Sequence, residues 1–137
     1  MPLINWTSEY AVNVKLLDDQ HKEMISSMNE IYDRAEKVVV SPTEVDGLFD
    51  RIKVYFMNHF GTEEKYFDLF KYEGTNEHKK AHSDVLVELG ELKERYHTNA
   101  SGALLYELIE LLENHLFSHI MKFDKKYTKC FNEHGLY

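Results

Sequence analysis

The chain has 137 residues, 43% of them hydrophobic and 29% charged, with a net charge of −8, which suits one soluble domain burying about two-thirds of its unfolded surface. The negative balance argues against nucleic acid or an anionic membrane as a partner. A single cysteine, Cys130, excludes an intramolecular disulfide, and no apolar run approaches the ~20 residues of a membrane span.

"MPLINWTSEYA" shows neither a basic n-region nor an apolar h-region, so no signal peptide is read and a cytoplasmic protein is expected. Residues 1–17 read as an arm, with Trp6 and Tyr10 expected to pack it across a bundle end. Helical periodicity then appears in four segments, roughly 18–38, 42–72, 76–97 and 102–128. The first is expected to be capped by Asp18 or Asp19 and carries Leu17, His21, Met24, Ile25, Met28 and Ile31 on one face. The second opens at "SPTE", with Ser41 as N-cap, Pro42 as first helical residue and Glu44 as capping-box partner. Its stripe runs from Val45 through Phe56, His59, Glu63 and Phe67 to Phe70, and Gly74 is placed to end it in a left-handed conformation. The third starts near Thr75 with His78, His82, Val85, Leu89 and Leu92. After a loop over 97–102 the fourth carries Leu105, Leu108, Leu112, His115, Leu116, His119 and Ile120. Only Val38 to Val40 hints at a strand. Four such helices joined by short connections predict an all-α, antiparallel up-down-up-down four-helix bundle with an N-terminal arm, one domain spanning 1–137.

The histidines lie on the apolar stripes. One buried imidazole is commonplace, but His21, His59, His78, His82 and His119 all fall on core-facing positions, with Glu63 one turn after His59. A buried carboxylate needs a counter-charge, and the lysines fall on outward faces. A shared metal site satisfies all of these groups at once. HxxxE at His59/Glu63 and HxxxH at His78/His82 each set two ligands about 6 Å apart on one helix face. His119 and Asp124 are five residues apart, so Asp124 reaches back only if the helix loosens there. Seven such ligands suit two six-coordinate ions sharing two carboxylates and one solvent oxygen. Five histidines then fill all but one of the remaining positions, and the last opens into an apolar core suited to a small, weakly polar molecule. The donor set fits iron, though zinc and manganese accept similar ligands.

Other metal and catalytic plans fail on residues. A zincin needs HExxH, but Lys79 follows His78. A ferritin-like site needs two ExxH motifs, and only Glu94/His97 has that spacing, near a helix end. Cys130 has no nucleophilic motif around it, and His97 and His134 lie near helix or chain ends. His115 and His119 form an HxxxH pair of their own, and spacing leaves open which of them binds metal.

"DDQH", "HFGTE", "HKKAH" and "HIMKFDKKY" together resemble the hemerythrin family, and the N-terminal W…Y…V resembles its bacterial branch. The resemblance implies two iron ions with a bridging oxo or hydroxo group. His78, His82 and His119 would hold one iron and His21 and His59 the other, with Glu63 and Asp124 bridging. It favours His119 over His115, because only His119 has an aspartate five residues on; His115 becomes a candidate lining residue of a dioxygen pocket, where relatives often have a large apolar residue. The implied activity is reversible dioxygen binding, for storage, delivery or scavenging, and not catalysis. A sensor acting through a partner, or a di-iron enzyme reducing peroxide or nitric oxide, is the alternative.

Overall fold

The computed structural model describes residues 3–36, 41–98 and 103–137; the valine run Val38 to Val40 and part of the loop expected over 97–102 lie outside them. Four long helical stretches form the bundle: α1 (Lys15–Ala35), α2 (Pro42–Phe70), α3 (Thr75–Thr98) and α4 (Ala103–Asn114). α4 continues without a break into a π-helical segment, His115–Asp124, and then α5 (Lys125–Glu133). Each helix packs on the one before and the one after it, and α4 returns to α1. This closed ring is the up-down-up-down bundle, with no strand among the described residues.

The helix starts and stops differ from expectation in instructive ways. α1 begins at Lys15, ahead of both aspartates, with Val14 at the N-cap position. Asp18 instead accepts a hydrogen bond from the Val12 N–H at 2.7 Å, and Asp19 pairs with Lys15 at 2.7 Å. The aspartates therefore serve the arm and the helix surface. At α2 the Ser41 hydroxyl accepts from the Glu44 N–H at 3.2 Å, as its cap spacing predicts, while the Glu44 carboxylate faces Arg34 at 3.5 Å.

α2 stops before Gly74. Lys71 takes the left-handed conformation, φ 52° and ψ 48°, and the Tyr72 N–H donates to the Phe67 carbonyl at 2.9 Å. The Phe67 and Tyr72 rings meet at 5.1 Å, which completes a Schellman ending with its hydrophobic contact. Gly74 is needed for space: a Cβ there would lie 2.9 Å from the Tyr72 ring.

The arm runs along the bundle's flank and does not cross its end. Ile4 exchanges two hydrogen bonds with the Asn29 side chain in mid-α1. Tyr10 bridges Trp6 and Phe117 of the π-helical segment, with ring separations of 5.8 and 5.9 Å. At its other end the arm is held by Thr128, which donates to the Val12 carbonyl at 2.6 Å, and by Asn132, which donates to the Asn13 carbonyl at 3.2 Å. Val12 and Val14 are fully buried, each contributing about 1.5–3 kcal/mol.

Along the bundle axis the polar residues form one layer. On one side lie Ile31, Val45, Phe49, Leu105 and Leu108; on the other Phe67, Tyr127 and Phe131 close the bundle with stacked and tilted rings. The first testable consequence concerns Lys71. Lys71→Gly relieves a left-handed L-residue and should stabilise the protein by about 1 kcal/mol, read as a Tm rise of about 3 °C in thermal denaturation.

Candidate metal centre

Among the described residues, eight polar or charged side chains are buried in the core: His21, His59, Glu63, His78, His82, His115, His119 and Asp124. α1 supplies His21, α2 supplies His59 and Glu63 one turn apart, and α3 supplies His78 and His82 one turn apart. The remaining three come from the π-helical segment. Its geometry answers the spacing problem at His119 and Asp124. In an α-helix a five-residue step turns the second side chain about 140° from the first. The i→i+5 winding of a π-helix brings the two back to one face. The Lys125 N–H donates to the Ile120 carbonyl in that pattern, and His119 Nε2 sits 3.1 Å from Asp124 Oδ1.

These side chains fall into two groups that share both carboxylates. His78, His82, His119, Glu63 and Asp124 form one, and His21, His59, Glu63 and Asp124 the other; ligand atoms within each lie no more than 4.8 Å apart. Asp124 divides its oxygens between them. Oδ1 lies 2.8 Å from His78 Nε2 and 3.1 Å from His119 Nε2, while Oδ2 lies 3.1 Å from His21 Nε2. Glu63 Oε1 lies 3.1 Å from His82 Nε2 and 3.4 Å from His59 Nε2.

These approaches are within hydrogen-bond distance but off hydrogen-bond direction. All four carboxylate oxygens and His82 Nε2 are buried without a hydrogen-bond partner. Nitrogens also face nitrogens, His21 and His59 at 3.1 Å and His78 and His119 at 3.0 Å. Imidazoles and carboxylates aimed at common points, and not at each other's protons, are what a pair of cations requires.

Electrostatics agree. Burial pushes the Glu63 carboxyl well above its usual range, and the neighbouring Asp124 charge adds to this. Burial also opposes ionisation of Asp124, but contacts with His119, His21 and His78 outweigh it and hold that carboxyl well below its usual range. Burial lowers His59, His78 and His82, the last to about 4. At neutral pH these rings carry a free lone pair, the form that binds metal. His119 is the exception: burial acts downward, yet contact with Asp124 and its charge raise it.

His115 stays apart from both groups. It is buried, with neither ring nitrogen hydrogen-bonded, and burial holds it well below its usual range. Its ring lies edge-on to Phe56 at 5.0 Å, tilted to Phe60 at 5.5 Å, and stacked on His119 at 4.5 Å. His97 and His134 are at the surface, the first 3.4 Å from Asp46 and the second stacked on Phe70 at 4.6 Å.

Three contributors escape a spacing argument. Phe60 stacks on His82 at 3.8 Å with planes 9° apart. Gln20 and Glu64 stand behind two imidazoles: His59 Nδ1 donates to Gln20 Oε1 at 2.6 Å and His82 Nδ1 to Glu64 Oε2 at 3.0 Å. Each immediately flanks a residue of the cluster in sequence, which is the only signal that marks them. Tyr127, the tyrosine after Asp124 in the fourth motif, is fully buried beside Glu63.

Comparison with known proteins points the same way. The Hemerythrin HHE cation binding domain family matches residues 12–130. A bacteriohemerythrin of Methylococcus capsulatus is 28% identical over 131 residues, covering 95% of this chain and 98% of that protein. A myohemerythrin of Sipunculus nudus is 30% identical over 122 residues, covering 89% of this chain and 88% of that protein. A crystal structure of wild-type hemerythrin superposes with a TM-score of 0.77 at 26% identity, covering 93% of this chain and 97% of that one.

The geometry separates His119 from His115 in a measurable way. His119→Ala removes a member of the larger group and should lower bound iron sharply in elemental analysis of purified protein. His115→Ala, outside both groups, should leave iron content unchanged.

Proposed function

The chain belongs to the hemerythrin family, and from that premise we propose that it is a reversible dioxygen-binding protein with a non-haem di-iron centre. His78, His82 and His119 would hold one iron and His21 and His59 the other, Glu63 and Asp124 would bridge them, and an oxo or hydroxo group would complete the bridge. The observation that carries this reading is the pair of groups sharing both carboxylates, one with three imidazoles and the other with two. When bound, the ferrous pair supplies the electrons that make dioxygen a ligand.

The rest is the work of the chain. Five neutral imidazoles and two carboxylates would set two negative charges against the four positive charges of two divalent cations, and the bridging oxo or hydroxo group would offset part of the remainder in a low-dielectric core. The two-imidazole group has one protein donor fewer, which is where a small ligand gains access. Phe56 and Phe60 beside the centre exclude bulk water, which favours reversible uptake over irreversible oxidation. The bundle's helices set these side chains in one layer, which would hold the ligands in register for metal.

We place His115 at the edge of the ligand pocket. Its two unpartnered nitrogens among phenylalanines give it a hydrogen bond to offer a polar guest or a water molecule. Among the described residues no helix is long and apolar enough to cross a membrane.

Iron analysis and a visible spectrum test the reading. Anaerobically reduced protein should show two irons per chain and a new charge-transfer band on exposure to air that fades under argon. Immediate, lasting oxidation without such a band would count against a carrier and favour sensing or catalysis, and a folded protein without iron would overturn the reading. For His115, replacement by Leu should change the decay rate of the oxygenated form several-fold; an unchanged rate removes it from the pocket.

A further inference from the structure

Gln20 and Glu64 occupy equivalent places behind the two groups and differ in charge. The orientation of Gln20 is fixed by its neighbours. Its Nε2 donates to the Thr62 hydroxyl at 3.3 Å, and that hydroxyl donates onward to the Asn58 carbonyl at 2.9 Å. Its backbone carbonyl accepts from the Tyr55 hydroxyl at 2.8 Å. The amide oxygen must therefore be the atom that faces His59 Nδ1, and an amide oxygen only accepts. The proton sits on His59 Nδ1 and the Nε2 lone pair points to the centre.

Glu64 settles His82 in the same tautomer, because a carboxylate also only accepts, but it does so with a full negative charge 3.0 Å from the ring. A charged acceptor draws the Nδ1 proton more strongly than an amide and makes the ring a stronger donor at Nε2. With its side chain 32% exposed, Glu64 keeps part of that effect from solvent screening. His21 and His78 have no such partner, since both Nδ1 atoms are buried without a hydrogen bond. One ring of each group is thus tuned, and the two are tuned differently.

We infer that Gln20 and Glu64 are positioning residues that make the two metal positions electrically unequal: Glu64, through His82, favours the higher-charged ion at the three-imidazole position, and Gln20, through His59, leaves the two-imidazole position to the lower-charged ion. The inference rests on the di-iron reading above. It concerns the order in which the irons change charge.

A redox titration of the iron-loaded, full-length protein with dithionite tests it, each couple taking one electron to convert one ferric ion to ferrous. The mixed-valence state at half-reduction is quantified by electron paramagnetic resonance. Glu64→Gln should raise the lower potential, and Gln20→Glu should lower the higher one, each by about 59 mV, a tenfold change in ferric preference. Both variants therefore shrink the gap and the mixed-valence signal, although one removes a negative charge and the other adds one. A general charge effect would move both couples together, in opposite directions for the two variants. Normal iron loading with an unchanged gap, or couples moving together, overturns the inference. Should Glu64→Gln fail to fold, Gln20→Glu decides alone by whether the gap narrows. Failure of the wild-type protein to bind iron sinks the di-iron reading itself.

Discussion

Two carboxylates buried in one apolar core set the terms for everything else in this molecule. Glu63 and Asp124 are fully buried, and two like charges so close in a low-dielectric interior repel strongly. Left to imidazoles alone the conflict is resolved unevenly: Asp124 gathers the contacts of three rings and stays ionised, while Glu63 is driven toward its neutral form. Two shared cations would resolve it evenly, since each carboxylate would then meet positive charge from both groups and the rings would serve as neutral donors.

The surrounding architecture keeps that layer dry and in register. Aliphatic residues pack along one side and interlocked rings close the other. Phe60 lies flat on His82, and Tyr55 lies nearly parallel to His59 at 5.6 Å, so two of the clustered rings are clamped by aromatic faces as well as by hydrogen bonds. Buried Val12 and Val14 seal the entry to α1, and the arm's hydrogen bonds to α5 tie the first and last helical stretches together.

Much of this is visible in the sequence because the burial pattern and the chemistry coincide. Histidines at core-facing spacing on four helices have no comfortable explanation as isolated residues, and the structure buries His21, His59, His78, His82, His115 and His119 alike. Backbone winding is less legible. Asp124 looks misaligned on an α-helical wheel, since neither Leu116 nor Ile120 around it advertises i→i+5 bonding. Boundaries mislead where a residue has two uses: Asp18 resembles a cap but holds Val12, and Gly74 resembles a helix stop but makes room for Tyr72. Gln20 and Glu64 are ordinary polar residues until the fold brings them behind His59 and His82.

The π-helical segment does more than align His119 with Asp124. Every later residue inherits its phase, because each residue added to or removed from a helix rotates the remainder of that helix by about 100°. Tyr127 and Phe131 face inward, and Thr128 and Asn132 face the arm, only in the present phase. The pairing of His119 with Asp124, closure of the aromatic end and attachment of the arm therefore share one reading frame. Along this stretch the chain can exchange one side chain for another far more readily than it can gain or lose a residue, because a single insertion or deletion would misplace all three at once.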